Sequence, residues 1–258
     1  MPRVITSNGY HIGYVEQRGG GVPIVFLHGV GSDKSVWHPQ LAHFGAARRV
    51  IAFDYPGYGD SDPAPGGTTR DDYASAIISA MHELGVDRAH ICGLSLGGVV
   101  AIAMHHAAPE RCASLILADT FAVHPDGRAI YERSIAGVQN LSAMANARVD
   151  VLLAQPADPA VRREVVETMS RIAPAAYRIG AEAVWLADQR ERARAIDVPT
   201  LVLVGDQDVV TPPDLSNELA DLIRDARMQL IHGAGHLGNL EKSAEFNLIV
   251  EEFIGSTE

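Results

Sequence analysis

The stretch His90-Ile91-Cys92-Gly93-Leu94-Ser95-Leu96-Gly97-Gly98-Val99-Val100 carries the information that decides the fold. An apolar run enters it, glycines stand two residues to either side of Ser95, and a second apolar run with helix-forming alanines leaves it. This is the sequence of a strand that breaks sharply into a helix. A serine at the apex of such a turn has a strained backbone with other main chains close by, so Gly93 and Gly97 are read as positions where a side chain would clash. The turn pushes the hydroxyl outward and aims the first free N–H groups of the new helix toward it, which favours negative charge developing beside Ser95. The spacing G-x-S-x-G is that of a nucleophile elbow; the plainer alternative is a strand-to-helix turn in which Ser95 only caps the helix.

Outward from this turn the chain alternates. Residues 22–27, 50–53, 89–92 and 115–118 are continuous apolar runs, the pattern of strands covered on both faces, and helical patterns at 71–84 and 96–108 lie between them. Such alternation predicts an α/β domain with a mostly parallel central sheet flanked by helices. At the start, residues 3–7 and 10–17 flank Asn8-Gly9 and read as an antiparallel hairpin. From 121 to 195 strand-like runs disappear, and helical patterns near 127–139, 141–154, 158–172 and 175–188 are punctuated by Pro156, Pro159 and Pro174. We read 121–195 as a helical insertion and 1–120 with 196–258 as the core. In the last part, strands at 200–204 and 228–231 alternate with helices at 213–223 and 240–253.

A chain of 258 residues has ample core for one large domain. Its net charge of -11 and lack of a basic tract disfavour nucleic acid and anionic membranes as partners. No run reaches the ~18 apolar residues of a membrane span, and Met1-Pro2-Arg3-Val4-Ile5-Thr6-Ser7 lacks the apolar segment of a secretion signal, so a cytoplasmic protein is expected. Cys92 and Cys112 are too few for a disulfide framework or a paired-cysteine zinc site, and Cys92 is read as a buried strand residue. The adjacent His105 and His106 cannot share a metal from one helix face.

A serine hydroxyl needs a base, usually a histidine held by a carboxylate, to become a nucleophile at neutral pH. In this fold class the partners follow in the order Ser, acid, His, at the carboxyl ends of parallel strands. Gly205-Asp206-Gln207-Asp208 follows the strand at 200–204, and His232-Gly233-Ala234-Gly235-His236 follows that at 228–231. Asp208 is preferred to Asp206 because it sits further into its loop, with Asp119 as a fallback at another strand end. His236 is preferred because glycines free its loop; His232 is read as structural. The oxyanion donors are assigned to the backbone N–H groups of Leu96 and Val30, the latter in His28-Gly29-Val30-Gly31. His28, Gly29 and Trp37 are candidates for the substrate pocket, with core packing the alternative for Trp37. The turn from Asp54 to Ser61 is read as structural.

Together, His28-Gly29, Asp54-x-x-Gly57-x-Gly59-x-Ser61, Gly93-x-Ser95-x-Gly97, Gly205-x-x-Asp208 and His236 resemble the α/β-hydrolase superfamily over nearly the whole chain, with 121–195 in the place of its helical cap. The chain is most similar there to 3-oxoadipate enol-lactonases, through Gly93-Leu-Ser-Leu-Gly-Gly98, Ala187-Asp188, Val198-Pro-Thr-Leu-Val202 and Gly235-His-Leu-Gly-Asn-Leu-Glu241 with Glu245-Phe-Asn247. The resemblance implies hydrolysis of a small ester or lactone with no metal or organic cofactor. It also implies a carboxylate-bearing substrate, for which Arg133 in the cap is the candidate receptor. Pro56 stands where that family usually has arginine, and no Arg-Trp-Phe stretch occurs near 149–153. Rival expectations are a broad carboxylesterase, a hydrolase of C–C bonds with the same triad, and a small-molecule-binding protein without catalysis; a dehalogenase would need a carboxylate at position 95.

Overall fold

The computed structural model describes residues 2–6 and 9–258. Its strands are β1 (Arg3–Ile5), β2 (His11–Gln17), β3 (Gly20–Leu27), β4 (Arg48–Phe53), β5 (Ala89–Leu94), β6 (Cys112–Ala118), β7 (Thr200–Gly205) and β8 (Ala226–Ile231). Before β7 the α-helices are α1 (His38–Phe44), α2 (Arg70–Glu83), α3 (Leu96–Ala107), α4 (Gly127–Ala136), α5 (Leu141–Leu152), α6 (Pro159–Ser170), α7 (Pro174–Trp185) and α8 (Arg190–Arg194). After it come α9 (Pro213–Leu222), α10 (Gly238–Glu241) and α11 (Ser243–Gly255).

The strands form one eight-stranded sheet in the order β1-β2-β4-β3-β5-β6-β7-β8. β3 to β8 run parallel, while β1 and β2 pair antiparallel at one edge. Ser7 and Asn8 of the expected hairpin turn lie outside the described residues. Side chains alternate between faces along β3: Val25 and Leu27 join the core under α2 and α3, whereas Ile24 and Phe26 join the one under α1 and α11. Each such fully buried aliphatic or aromatic side chain contributes on the order of 1.5–3 kcal/mol. Cys92 lies in the second core, and burial pushes its thiol far above the usual range.

Between β6 and β7 the regular structure among the described residues is helical apart from one bridge, Val123 to Asp188. There the insertion closes on itself: Gln189 N–H donates to Ala122 O at 2.7 Å, and the Gln189 side chain donates to Val99 O in α3 at 2.8 Å. Beyond this stem, α8 packs on α3 and α9. The single helix expected at 240–253 is split into α10 and α11, with Lys242 in a non-helical conformation between them. The loops after β3, β5, β6, β7 and β8 all leave the same carboxyl edge of the sheet.

Candidate active site

Ser95 occupies the step from β5 to α3 with φ of 55°, a left-handed conformation that few non-glycine residues adopt. Crowding explains its glycines. A side-chain carbon at Gly93 would lie 2.2 Å from Gly97 O, and one at Gly97 would lie 2.1 Å from Leu27 O in β3. The strained turn is anchored by Ser95 N–H donating to Ala118 O at 2.9 Å and by the Thr120 hydroxyl donating to Ser95 O at 2.9 Å. At the start of α3, the Leu96 N–H has no intrahelical acceptor to reach.

The loop after β3 comes alongside: a carbon added to Gly29 would stand 3.5 Å from Ser95 Cβ. The Gly29 carbonyl accepts from His28 Nδ1 at 2.8 Å and from Ser32 N–H at 3.2 Å. Tyr58 and Tyr55 hydroxyls donate to the carbonyls of Val30 and His28, each at 3.2 Å. The peptide planes of this loop are therefore held from several sides. The 54–61 turn supports it from below, where the Asp54 carboxylate accepts from Lys34 N–H, Lys34 Nζ and Asp60 N–H at 2.9, 2.5 and 2.9 Å. Burial alone would lower the Lys34 pKa; Asp54 and Asp60 outweigh it and raise it.

Asp208 and His236 meet at 2.8 Å between Oδ2 and Nδ1. Both side chains are buried, and the same Asp208 carboxylate accepts from the N–H groups of Val210 and Thr211 and from the Thr211 hydroxyl. Burial pushes Asp208 up, but His236 and these donors prevail and hold it below the usual carboxylate range. With Nδ1 donating to the carboxylate, Nε2 is left as the basic nitrogen. His236 and Ser95 line one cavity together with Gly29, Val30 and Leu94 of the core.

The other acids stand elsewhere. Asp206 bonds His232 Nδ1 at 3.1 Å and Gly233 N–H at 2.8 Å near the surface. Asp119 is buried with φ of 47°, its Oδ1 accepting from Gly205 N–H at 2.9 Å while Oδ2 has no partner. Burial, then the nearby Asp208, drives its pKa well above the usual range, which favours the protonated carboxyl. Among the described residues no group of three His, Cys, Asp or Glu is placed to hold a metal ion, and no helix is long and apolar enough to cross a membrane.

The family model of the alpha/beta hydrolase family matches residues 24–247. The chain belongs to this family. As a hydrolase of the alpha/beta hydrolase family, it is 26% identical over 88% of its relative's length and 90% of its own to "3-oxoadipate enol-lactonase 1" of Acinetobacter baylyi. It is 30% identical over 88% of its length to the dihydrolipoyllysine-residue acetyltransferase component of the acetoin cleaving system of Pseudomonas putida, and spans 62% of that relative. The crystal structure of an enol-lactonase from Burkholderia xenovorans superimposes with a TM-score of 0.91 at 26% identity, covering 98% of this chain and 100% of the other.

Within this hydrolase, three residues expected at the substrate pocket do not line the Ser95 cavity. His28 is fully buried beneath the loop, its ring 4.5 Å from Tyr55 and 5.0 Å from Tyr58, and burial lowers its pKa. Trp37 packs into the core, 4.9 Å from Phe26 and 6.0 Å from Phe246, because the turn preceding α1 points its ring into the sheet. Arg133 lies on α4 beside a separate outer cavity and not the one at Ser95. Gly29 does line the Ser95 cavity.

On the insertion side that cavity is lined by the carboxylate-bearing Glu164 and, as its cationic group, by Arg148. Arg148 donates to the hydroxyls of Tyr177 at 2.8 Å and Ser134 at 3.3 Å. A sequence signal exists for it: Leu141, Ala145, Val149 and Leu152 form the apolar stripe of α5, and Arg148 falls within that stripe. Glu241 is the other residue the sequence reading left without a role. Its carboxylate accepts from the N–H groups of Gly235 and Leu237, on either side of His236, and from Ala154 N–H at the end of α5. Burial raises its pKa against these donors.

Proposed function

We propose that the chain is a serine hydrolase that cleaves a small carboxylic ester or lactone through an acyl-enzyme. Ser95 Oγ attacks the acyl carbon as its proton passes to His236 Nε2. Asp208 holds the imidazole by Nδ1 and stabilises the imidazolium. The Val30 and Leu96 N–H groups receive the oxyanion, each such donor being worth on the order of 3 kcal/mol in the transition state. His236 then returns the proton to the leaving alkoxide, which in a lactone stays tethered to the acyl group. Water, deprotonated by His236, attacks the acyl-enzyme and releases the acid and Ser95. Residues 121–195 act as a cap over this chemistry, on 1–120 and 196–258 as core.

The observation that carries this reading is the buried Asp208–His236 pair at 2.8 Å, facing the same cavity as a serine held at φ 55°. The enol-lactonase relatives favour a lactone as substrate. Turnover of p-nitrophenyl esters, an enol-lactone and simple lactones by wild type and Ser95→Ala tests it. Ser95→Ala is expected to lose roughly 10⁴-fold or more in kcat with the fold intact. Turnover confined to the enol-lactone supports that substrate, and turnover spread over neutral esters supports a broad carboxylesterase. Retained activity in Ser95→Ala would sink the mechanism.

A further inference from the structure

The cavity beside Ser95 measures about 50 Å³. Small-molecule sites are typically ~300–1,000 Å³, and a single water needs roughly 10–15 Å³ by this measure. As it stands, the cavity holds a few waters or the carbonyl end of an ester, and little more. A second cavity of about 810 Å³ lies outside it, between α4, α5 and the loop leading from Asp208 into α9. Both cavities are bordered by Arg148 and Val210, so these two side chains form the partition between them.

The outer cavity has the chemistry of a ligand surface. Val151 and Val209, exposed by 50% and 69%, stand on its walls with Ile130, Met144 and Leu215. Large apolar side chains left exposed together at one concave surface mark a binding site. The partition itself is lightly fastened. Arg148 is held by two neutral hydroxyls, Tyr177 on the inner side and Ser134 on the outer, and a long side chain so held exchanges readily for water-bonded rotamers.

We propose that the outer cavity is the distal half of the substrate site, taking an extended apolar group of an ester whose carbonyl reaches Ser95 past Arg148 and Val210. The proposal rests on the Ser95 reading above and adds the substrate's shape: an ester with one medium-length apolar chain. The apolar chain is the occupant because most of the exposed lining is apolar, although His124, Asp126, Arg133 and Asn140 stand among it, and because only Arg148 and Val210 separate this cavity from a chamber too small to enclose such a chain.

The test compares methyl acetate, methyl octanoate and octyl acetate, followed by proton release, in wild type, Ala147→Trp and Val151→Trp. Both positions are exposed on α5 and face the outer cavity, and methyl acetate turnover reports that each variant is folded. For at least one long ester, kcat/KM relative to methyl acetate is expected to fall about tenfold or more in both variants, the scale on which a filled apolar pocket discriminates. Ser95-dependent turnover with both ratios unmoved within about twofold overturns the proposal and leaves the hydrolase reading in place. Absence of Ser95-dependent turnover of every ester overturns both.

Discussion

His28 Nδ1 donates to the carbonyl of Gly29 at 2.8 Å, and that bond sets the direction of the Val30 N–H. In a trans peptide the N–H points opposite to the carbonyl of the same plane, so a pinned Gly29 carbonyl aims the next N–H the other way. His28→Ala is expected to lower kcat by roughly 10²-fold, the cost of a misplaced oxyanion donor, with a small change in KM. In His28→Asn the amide N–H can meet the same carbonyl, and much of the rate should return. Steady-state kinetics of the two variants decides; equal losses in both would mean that His28 only fills space.

Asp208 and Asp119 both end strands near His236, but only Asp208 bonds its imidazole. Asp208→Asn is expected to lower kcat by about 10⁴-fold, because an amide cannot stabilise the imidazolium or hold the required tautomer. Asp119→Asn should stay within about tenfold of wild type, since Asp119 does not bond the imidazole and burial already favours its protonated form. The opposite ranking in a kcat comparison would transfer the acid's role to Asp119.

The raised pKa of Asp119 also predicts a pH dependence of stability. In the unfolded chain an aspartate ionises near pH ~3.9, whereas the buried Asp119 keeps its proton to much higher pH. Between those points the folded state binds the extra proton, and this site lowers stability by about 1.4 kcal/mol per pH unit as pH rises. Asp119→Asn removes the effect. Its melting temperature relative to wild type should therefore climb as pH rises above about 4, and a difference flat with pH would contradict the raised pKa.

Glu241 braces the His236 loop against the end of α5 through Gly235, Leu237 and Ala154. In Glu241→Gln one acceptor oxygen becomes an NH₂ group facing a backbone N–H. A lost charge-assisted hydrogen bond costs about 1.5–3 kcal/mol, or roughly 3–10 °C in Tm. A positioning role adds a kinetic signature, with kcat falling about tenfold while KM moves less than about twofold. A lower Tm with unchanged kcat would leave Glu241 as a structural brace alone.

Much of this site was legible in the chain. The elbow is announced by Gly93 and Gly97, because only a missing side chain allows Gly97 to pass Leu27 O. Asp208 and His236 could be singled out because each follows a strand pattern and so belongs to the carboxyl edge of the sheet. The boundaries of the parallel strands were read up to three residues short, as at β6, which begins at Cys112 and not 115, since pairing extends beyond the apolar run. Arg133 was the arginine singled out, whereas the place of Arg148 within the apolar stripe of α5 is the signal that marks it as inward-facing.

The sequence by itself determined the sheet, the elbow and the order of the site's loops, because apolar periodicity, glycine and strand ends act over a few residues. The tertiary structure alone decided which side chains face Ser95. His28 turns under its loop, Trp37 turns into the core, and Arg148 enters the cavity wall while Arg133 stays outside. Those directions follow from how α4 to α7 pack against one another and over the sheet, a balance of long-range contacts that no local pattern encodes.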